Sequence, residues 1–412
     1  MSRSARVAGA GLVCLLALAV ACTPPRPAAK TLRVGTSGDY APFSFKDEAG
    51  WDGFDLYVAR KFAQDTGRNI ELVEFRWPAL ELDMQANKFD VAMSGVTVRP
   101  WRALYGTFTR PIARVGAVLV LQPGVATSLA ELDLPTRRIG VNAGGYLEKL
   151  ARRLFRRAEI VPIPDNRALA KELRERRVDA LMSDELEGVM FRRLAPDAVL
   201  LGPLTNDRKA YLARDPALAS ELDAWLRERE IDGSLAGLRA RILGPAWGAR
   251  HTAAASDLDA LLAAIELRLA FMPAVALAKE QRGLPTEDAA QEAQVIARAR
   301  ERATLVGVSP DAIAALFEAM MRAARHAQDA YRALPDGARP PVESMDLDTQ
   351  ARPALAGIST TIIDCAADVS RDDIGPVRPT AAVLADALDP SLASKADRLA
   401  IATAVVALLP AK

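Results

Sequence analysis

The sequence predicts an α/β first half followed by an all-helical second half. Three observations lead to this reading. Short apolar runs alternate with helical stretches from about residue 31 to 243. From about residue 255 the strand signal disappears and apolar residues recur at helical spacing. The chain has 412 residues, half of them hydrophobic, which is more than one typical domain needs and enough to bury real cores.

The first segment reads as an export signal. Arg3 and Arg6 make a positive start, and residues 7–20 form an apolar run too short to span a membrane comfortably. Ala19-Val20-Ala21 fits a small-x-small cleavage site, which makes residues 1–21 a signal peptide. Ala21-Cys22 also fits a lipid-attachment site with Cys22 acylated, and the two readings stay open. Either way the protein leaves the cytoplasm. Residues 22–31 are rich in Pro and Ala and suit a tether. No later segment reads as a membrane span.

In the α/β half, strands are expected at 31–35, 70–75, 91–94, 115–121, 139–141 and 180–182, with helices at 53–67 and 80–87. This alternation argues for largely parallel sheets, with a ligand crevice beyond the strand ends. In the second half, Leu258, Leu261, Leu262, Ile265 and Leu269 share one helical face, and Gly283-Leu284-Pro285 breaks it. A helix follows over 286–303. Gly307-Val308-Ser309-Pro310 caps the next, which runs to about 334. After a Pro/Gly loop at 335–341, two more helices are expected near 349–364 and 390–409. The domain boundary falls near 244–256, leaving domains over 32–243 and 256–412, and no internal repeat is seen.

Composition narrows the function. Lys plus Arg total 53 against 52 for Asp plus Glu, which gives no electrostatic case for a nucleic-acid or membrane-surface partner. The three cysteines are Cys14, Cys22 and Cys365, so a mature chain has no internal disulfide to make other than Cys22 with Cys365. His251 and His326 are far apart, so no His/Cys metal cluster is available. There is no phosphate-binding glycine loop either, and no cofactor is expected.

The first half resembles a known family. Gly35-Thr36-Ser37-Gly38-Asp39-Tyr40-Ala41-Pro42-Phe43, Trp51-Asp52-Gly53-Phe54-Asp55-Leu56, the run from Lys88-Phe89-Asp90-Val91 to Thr97, and Arg102 are similar to motifs of amino-acid-type periplasmic solute-binding proteins. Within that fold the variants resemble one enzymatic branch, the cyclohexadienyl (prephenate/arogenate) dehydratases. The pieces are Arg76-Trp77-Pro78-Ala79-Leu80, Met93-Ser94-Gly95-Val96-Thr97, Gly140-Val141-Asn142-Ala143-Gly144-Gly145, Ser183-Asp184-Glu185-Leu186-Glu187 and the segment from Lys209 to Asp215.

The resemblance implies a two-lobed α/β fold over 32–243 and loss of water and carbon dioxide from prephenate or arogenate. Such a reaction needs its carboxylates held and its departing hydroxyl protonated. Arg102 matches the arginine that grips a ligand carboxylate, for which a planar guanidinium fork is apt. Thr97, Ser94 and Gly95 would add donors, as would Asn142, Gly144 and Gly145 from the other lobe. Tyr40, Phe43 and Trp77 would wall the ring. Glu187 matches the family's general acid, with a pKa raised by burial. Asp184 would meet an ammonium in arogenate. Without the resemblance, Asp184 and Glu187 read as carboxylates one helical turn apart on a solvated face, and Arg102 as one of several surface arginines. Tyr146 departs from the family, which often has a small hydroxyl residue there.

The second half resembles the secreted, gamma-type chorismate mutases, which are all-α and convert chorismate to prephenate. Arg268-Leu269, Met272-Pro273 and Lys279 match their R-L…K pattern. Gly283-Leu284-Pro285-Thr286-Glu287-Asp288 is close to their G-L-P-I-E-D motif, and Asp346 to Leu355 resembles a later arginine-bearing segment. By position Arg268, Lys279, Gln328 and Arg352 would bind a dianion compressed into a cyclic transition state. Gln291 stands where an Arg is usual, and Ala324 where a Ser, Thr or Lys often precedes the Gln. A missing cation there would cost about 10²–10³ in rate unless Arg298 or another residue compensates. The whole reads as a periplasmic bifunctional enzyme acting on chorismate, prephenate and arogenate. Two rivals stay open: an amino-acid receptor feeding a membrane permease, and a dehydratase with a non-catalytic helical domain.

Overall fold

The computed structural model describes residues 30–245, 247, 253–371 and 378–410. The export signal, Cys22 and its proposed lipid, most of the tether and His251 lie outside the described residues.

The α/β half has two lobes, each built on a five-stranded sheet. In the first lobe the strand order is Asn69–Glu74, Thr31–Thr36, Val91–Ala92, Leu212–Ala213 and Thr107–Phe108. Thr31 pairs with Asn69 and Thr36 with Glu74 in parallel register. In the second lobe the order is Glu159–Ile163, Arg138–Asn142, Ala180–Asp184, Ala117–Leu121 and Val199–Leu201. Ala117–Leu121 is buried along its whole length, which is why it reads as an unbroken apolar run.

The sheets are less parallel than the alternation predicts. Each has a parallel core of three strands, but Leu212–Ala213 and Ala117–Leu121 join antiparallel. The physical reason is that the chain crosses between lobes and returns. The crossing strands Ala113–Arg114 and Arg208–Lys209 pair antiparallel with each other and form the hinge. Two helices not anticipated, Pro216–Ile231 and Ser234–Ile242, then close the first lobe.

The helical half packs Ala253–Ala270 against Arg352–Arg371, with Ala289–Val306, Pro310–Ala333 and Lys395–Leu408 around them. Caps place the ends. Asp288, not Thr286, starts the Ala289–Val306 helix by accepting the Gln291 N–H at 3.1 Å. Ser309 accepts the Ala312 N–H at 3.2 Å, and Ser394 accepts the Asp397 N–H at 3.1 Å. The apolar stretch after Ala270 turns at Phe271 into a separate helix, Met272–Gln281. The segment Ser256–Gln281 is long and apolar enough to cross a membrane, but it is mostly buried inside the protein.

The helical half and the first lobe share one core. Ile265, Phe271, Phe317 and Ile362 belong to the same apolar cluster as Phe75, Leu80, Phe89 and Phe108. Ion pairs fix the register between them. Arg110 meets Asp257 at 2.7 Å, and Arg208 meets Asp259 at 2.8 Å and also Glu266.

Candidate active sites

The first candidate site lies in the cleft between the lobes, where loops leave the C-terminal ends of parallel strands. From the first lobe, the turn after Val91–Ala92 presents Gly95 and Thr97. Gly95 has φ +58° and its N–H donates to Asp55 Oδ2 at 2.6 Å. A Cβ there would lie 2.4 Å from the Tyr40 ring, so glycine lets the aromatic close over the turn. Asp55 is fully buried, also accepts from Tyr211 Oη at 3.0 Å, and is pushed up to about 7 by that burial. Arg102, on the short helix Pro100–Ala103, is buried. It donates to the Thr97 carbonyl at 2.9 Å and Glu81 at 3.2 Å, and sits 5.0 Å from the Trp77 ring centroid.

From the second lobe come Asn142 at the end of its strand, Gly145 at the start of Tyr146–Leu154, and two carboxyls. Asp184 ends Ala180–Asp184 and caps the helix Glu185–Leu194, its Oδ1 accepting the Leu186 and Glu187 N–H groups at 3.0 Å. Its other oxygen accepts from Tyr40 Oη across the cleft, with Lys209 Nζ 3.5 Å away. Glu187 is buried one turn into that helix. Ser183 Oγ donates to it at 2.7 Å, and the Asn166 amide donates to its other oxygen. Burial first, and then the negative charge of Asp184, push Glu187 up to about 8. Burial raises Asp184 as well, but Lys209 and two backbone amides oppose it there. Burial therefore raises both carboxyls, and the backbone amides and Lys209 that face Asp184 favour charge there.

The enclosed space is about 50 Å³ and is lined by Tyr40, Trp77, Gly95, Thr97, Arg102, Asn142, Gly145, Tyr146, Leu147, Asn166, Glu187 and Lys209. Four residues expected in its wall stand elsewhere, the first being Asp184, whose oxygens are taken by Tyr40 and by the amides of its own helix. Phe43 is fully buried beneath Tyr40, with ring centroids 5.2 Å apart, because the core claims it. Ser94 turns its hydroxyl to Ser37 Oγ at 2.8 Å. Gly144, at φ +76°, lies so close to Pro78 of the other lobe that a Cβ would be 2.7 Å from its ring. The residue reading missed Lys209, whose Nζ donates to Thr97 Oγ1 at 3.1 Å, and Asn166, which also donates to the Asp39 carbonyl at 3.1 Å. Lys209 did stand in a family-like segment. Asn166 has no such signal, since it comes from a turn after Pro164.

Tyr146 has a definite place. The Arg99 guanidinium lies 3.6 Å from its ring centroid, and Trp101 lies 6.4 Å away. Arg99 is paired in turn with Asp207. These contacts join the lobes on one flank of the cleft, and Gly144 on Pro78 joins them at its mouth.

The second candidate site lies inside the helical half. Arg268 is buried and donates to the Leu355 carbonyl at 3.2 Å and Ser359 Oγ at 3.1 Å. Among the described residues no carboxylate pairs with it, and burial draws its pKa down to about 10. A buried cation without a counter-ion is a standing demand for an anion. Gln328 donates to the Ala324 carbonyl at 3.1 Å, and its buried Oε1 has no partner. Lys279 donates to the Thr286 carbonyl at 2.6 Å and is drawn down by burial, with Asp288 and Glu292 opposing, and with Arg332 and Arg352 adding to the fall. Arg352 reaches Asp288 at 3.5 Å and Asp348. Arg332 is a cation the motifs did not point to. Arg298 is exposed, a position that gives it no part in this interior. Gln291 is half-buried in the first turn of its helix.

Residues 32–245, about half the chain, match the family described as bacterial extracellular solute-binding proteins, family 3. The chain belongs to that family. Residues 253–329 match chorismate mutase type II, so the solute-binding fold is followed by a helical chorismate mutase domain. The chain is 33% identical over 228 residues to the cyclohexadienyl dehydratase of Pseudomonas aeruginosa, a match covering 53% of this chain and 85% of that protein. It is 31% identical over 213 residues to a probable amino-acid ABC transporter-binding protein of Haemophilus influenzae, covering 50% and 82%. A solved ancestral amino-acid-binding protein, described as a precursor of cyclohexadienyl dehydratase, is 30% identical with a TM-score of 0.49, covering 52% of this chain and 95% of that one.

Proposed function

We propose that the chain is a bifunctional enzyme of phenylalanine biosynthesis. The α/β half, residues 32–243, converts prephenate to phenylpyruvate or arogenate to phenylalanine. The helical half, residues 256–412, rearranges chorismate to prephenate. The observation that carries the dehydratase reading is Glu187: a buried carboxyl that holds its proton up to about pH 8, oriented by Ser183 and Asn166, in a cleft that also presents Lys209 and Arg102. An amino-acid receptor has no use for a proton donor at that point. The match to the Pseudomonas enzyme supports the same reading.

The residues divide the work. Arg102 and Thr97 hold one carboxylate. Lys209 and the donors of the second lobe steady the rest of the anion. Glu187 gives its proton to the leaving hydroxyl, which departs as water. The carbon–carbon bond to the ring carboxylate breaks, carbon dioxide leaves, and that electron pair completes the aromatic ring. Glu187 is then reprotonated from solvent. Aromatisation supplies driving force, so the protein orients, protonates and excludes water. In the helical half, Arg268 and Lys279 hold the substrate's carboxylates, with Arg352 and Gln328 beside them. No covalent step is required there.

We further infer that the protein works in the periplasm, exported by residues 1–21 and held either free or by a lipid on Cys22. The family's extracellular description supports the location. The test of function is ultraviolet absorbance of the protein with prephenate. Phenylpyruvate should appear with wild type, and Glu187→Gln should lower kcat by about 10²–10⁴. Tight amino-acid binding without product would instead make the cleft a receptor site.

A further inference from the structure

A second cavity, of about 360 Å³, lies where the helical half meets the first lobe. Its walls are mainly apolar, with Val98, Leu104 and Phe108 from the lobe and Leu267 and Ile358 from the helices Ala253–Ala270 and Arg352–Arg371, interspersed with threonines and Gln350. It stays open because the facing side chains are small. Ala260, Ala263 and Ala264 share one helical face, and at Gly357 an added Cβ would meet nothing within 4 Å.

Two arginines line it. Arg110 is saturated by Asp223, Asp257 and Asp368. Arg214 is not. Its side chain is 40% exposed and its ion partner, Asp90, is 3.8 Å away, beyond hydrogen-bond reach. The cavity thus offers mainly apolar walls with one cation able to donate. A cavity of about 150 Å³ holds a benzene ring, so this one has room for a ring and a short chain. A dianion is disfavoured, because one cation cannot compensate two desolvated carboxylates.

The position of the cavity gives it a use. Five lining residues adjoin site residues in sequence. Val98 follows Thr97, Ala103 follows Arg102, Leu267 precedes Arg268, Pro353 follows Arg352, and Ile358 precedes Ser359. Anything that fills the space presses on backbone one residue from both candidate sites.

We propose that this cavity is an effector site for a small aryl monocarboxylate, with its ring between the two helices and the lobe and its carboxylate on Arg214, and that occupancy changes turnover at one or both active sites. The regulatory half of the proposal rests on the bifunctional reading above. The binding half does not.

The probe is 3-phenylpropanoate, which has neither the ring hydroxyl nor the second carboxylate needed for the dehydration. Titration calorimetry on the full chain should show one site. Gly357→Leu places a larger side chain in the lining, and helix propensity favours the change, so the fold is kept and verified by a melting curve no lower than that of wild type. It should weaken binding at least tenfold, and Arg214→Gln by about tenfold or more. Arg102→Gln and Arg352→Gln should leave it within about twofold. Binding lost in either of those variants, or kept in Gly357→Leu, or absent from wild type, overturns the site. Saturating probe should change a wild-type rate at least twofold and leave Gly357→Leu unaffected. Binding with no rate response overturns the regulatory half. Wild type inactive on both substrates, yet binding the probe at Gly357 and Arg214, sinks the functional reading and upholds the site.

Discussion

Glu187 and Asp184 are one helical turn apart in sequence, and that spacing alone describes a solvated face. Tertiary burial makes the difference, and only the family-like segment around Glu187 hinted at it. The consequence is a pH profile. With Glu187 pushed up to about 8, dehydratase kcat should be flat at neutral pH and fall as pH rises through about 8. In Glu187→Gln the residual rate should lose that limb. Stability carries the same sign. The folded pKa lies above the unfolded one, so the carboxyl's contribution is complete below about 4.5 and is lost as pH rises through about 8. Glu187→Gln should therefore gain melting temperature over wild type at pH 9 and gain little at pH 4. In the helical half, Gln291→Arg should raise mutase kcat/KM by about 10²-fold if the missing cation limits that site, measured as chorismate loss. Arg102, Trp77 and Glu187 were legible because each sits in a motif. Asn166 and Arg332 were not, since their positions depend on how distant segments meet.

At the scale of elements, periodicity and capping were the readable signals. The strands at Thr31–Thr36, Asn69–Glu74 and Arg138–Asn142 follow from apolar runs, and the helix starting at Pro310 follows from Ser309 and Pro310. Ser309→Ala should cost about 1 kcal/mol, seen as a lower urea midpoint with unchanged slope. The helices Pro216–Ile231 and Ser234–Ile242 were less legible because charged residues interrupt their apolar faces. The turn at Phe271 escaped because one apolar stretch serves two helices. The antiparallel strands are set by the return crossing between lobes, which no local window contains.

The molecule as a whole is joined more tightly than two enzymes in series require. Arg110 is almost fully buried between Asp223, Asp257 and Asp368, and Arg227 also reaches the last two, so Arg110→Met would leave them with one cation instead of two and should lower stability by about 1–3 kcal/mol by denaturant titration. Both sites should lose stability together, because the first lobe and the helical half share a core. That shared core also decides what moves. With the first lobe built into the helices, the part free to swing about the strands Ala113–Arg114 and Arg208–Lys209 is the second lobe alone. It closes like a light jaw on a heavy one. Its helix Tyr146–Leu154 carries Lys149, which pairs with Glu343 of the helical half as well as lying 4.6 Å from the Trp101 ring. Glu343, a residue of the helical half, thus adds one half-exposed surface contact to the closed state of the cleft.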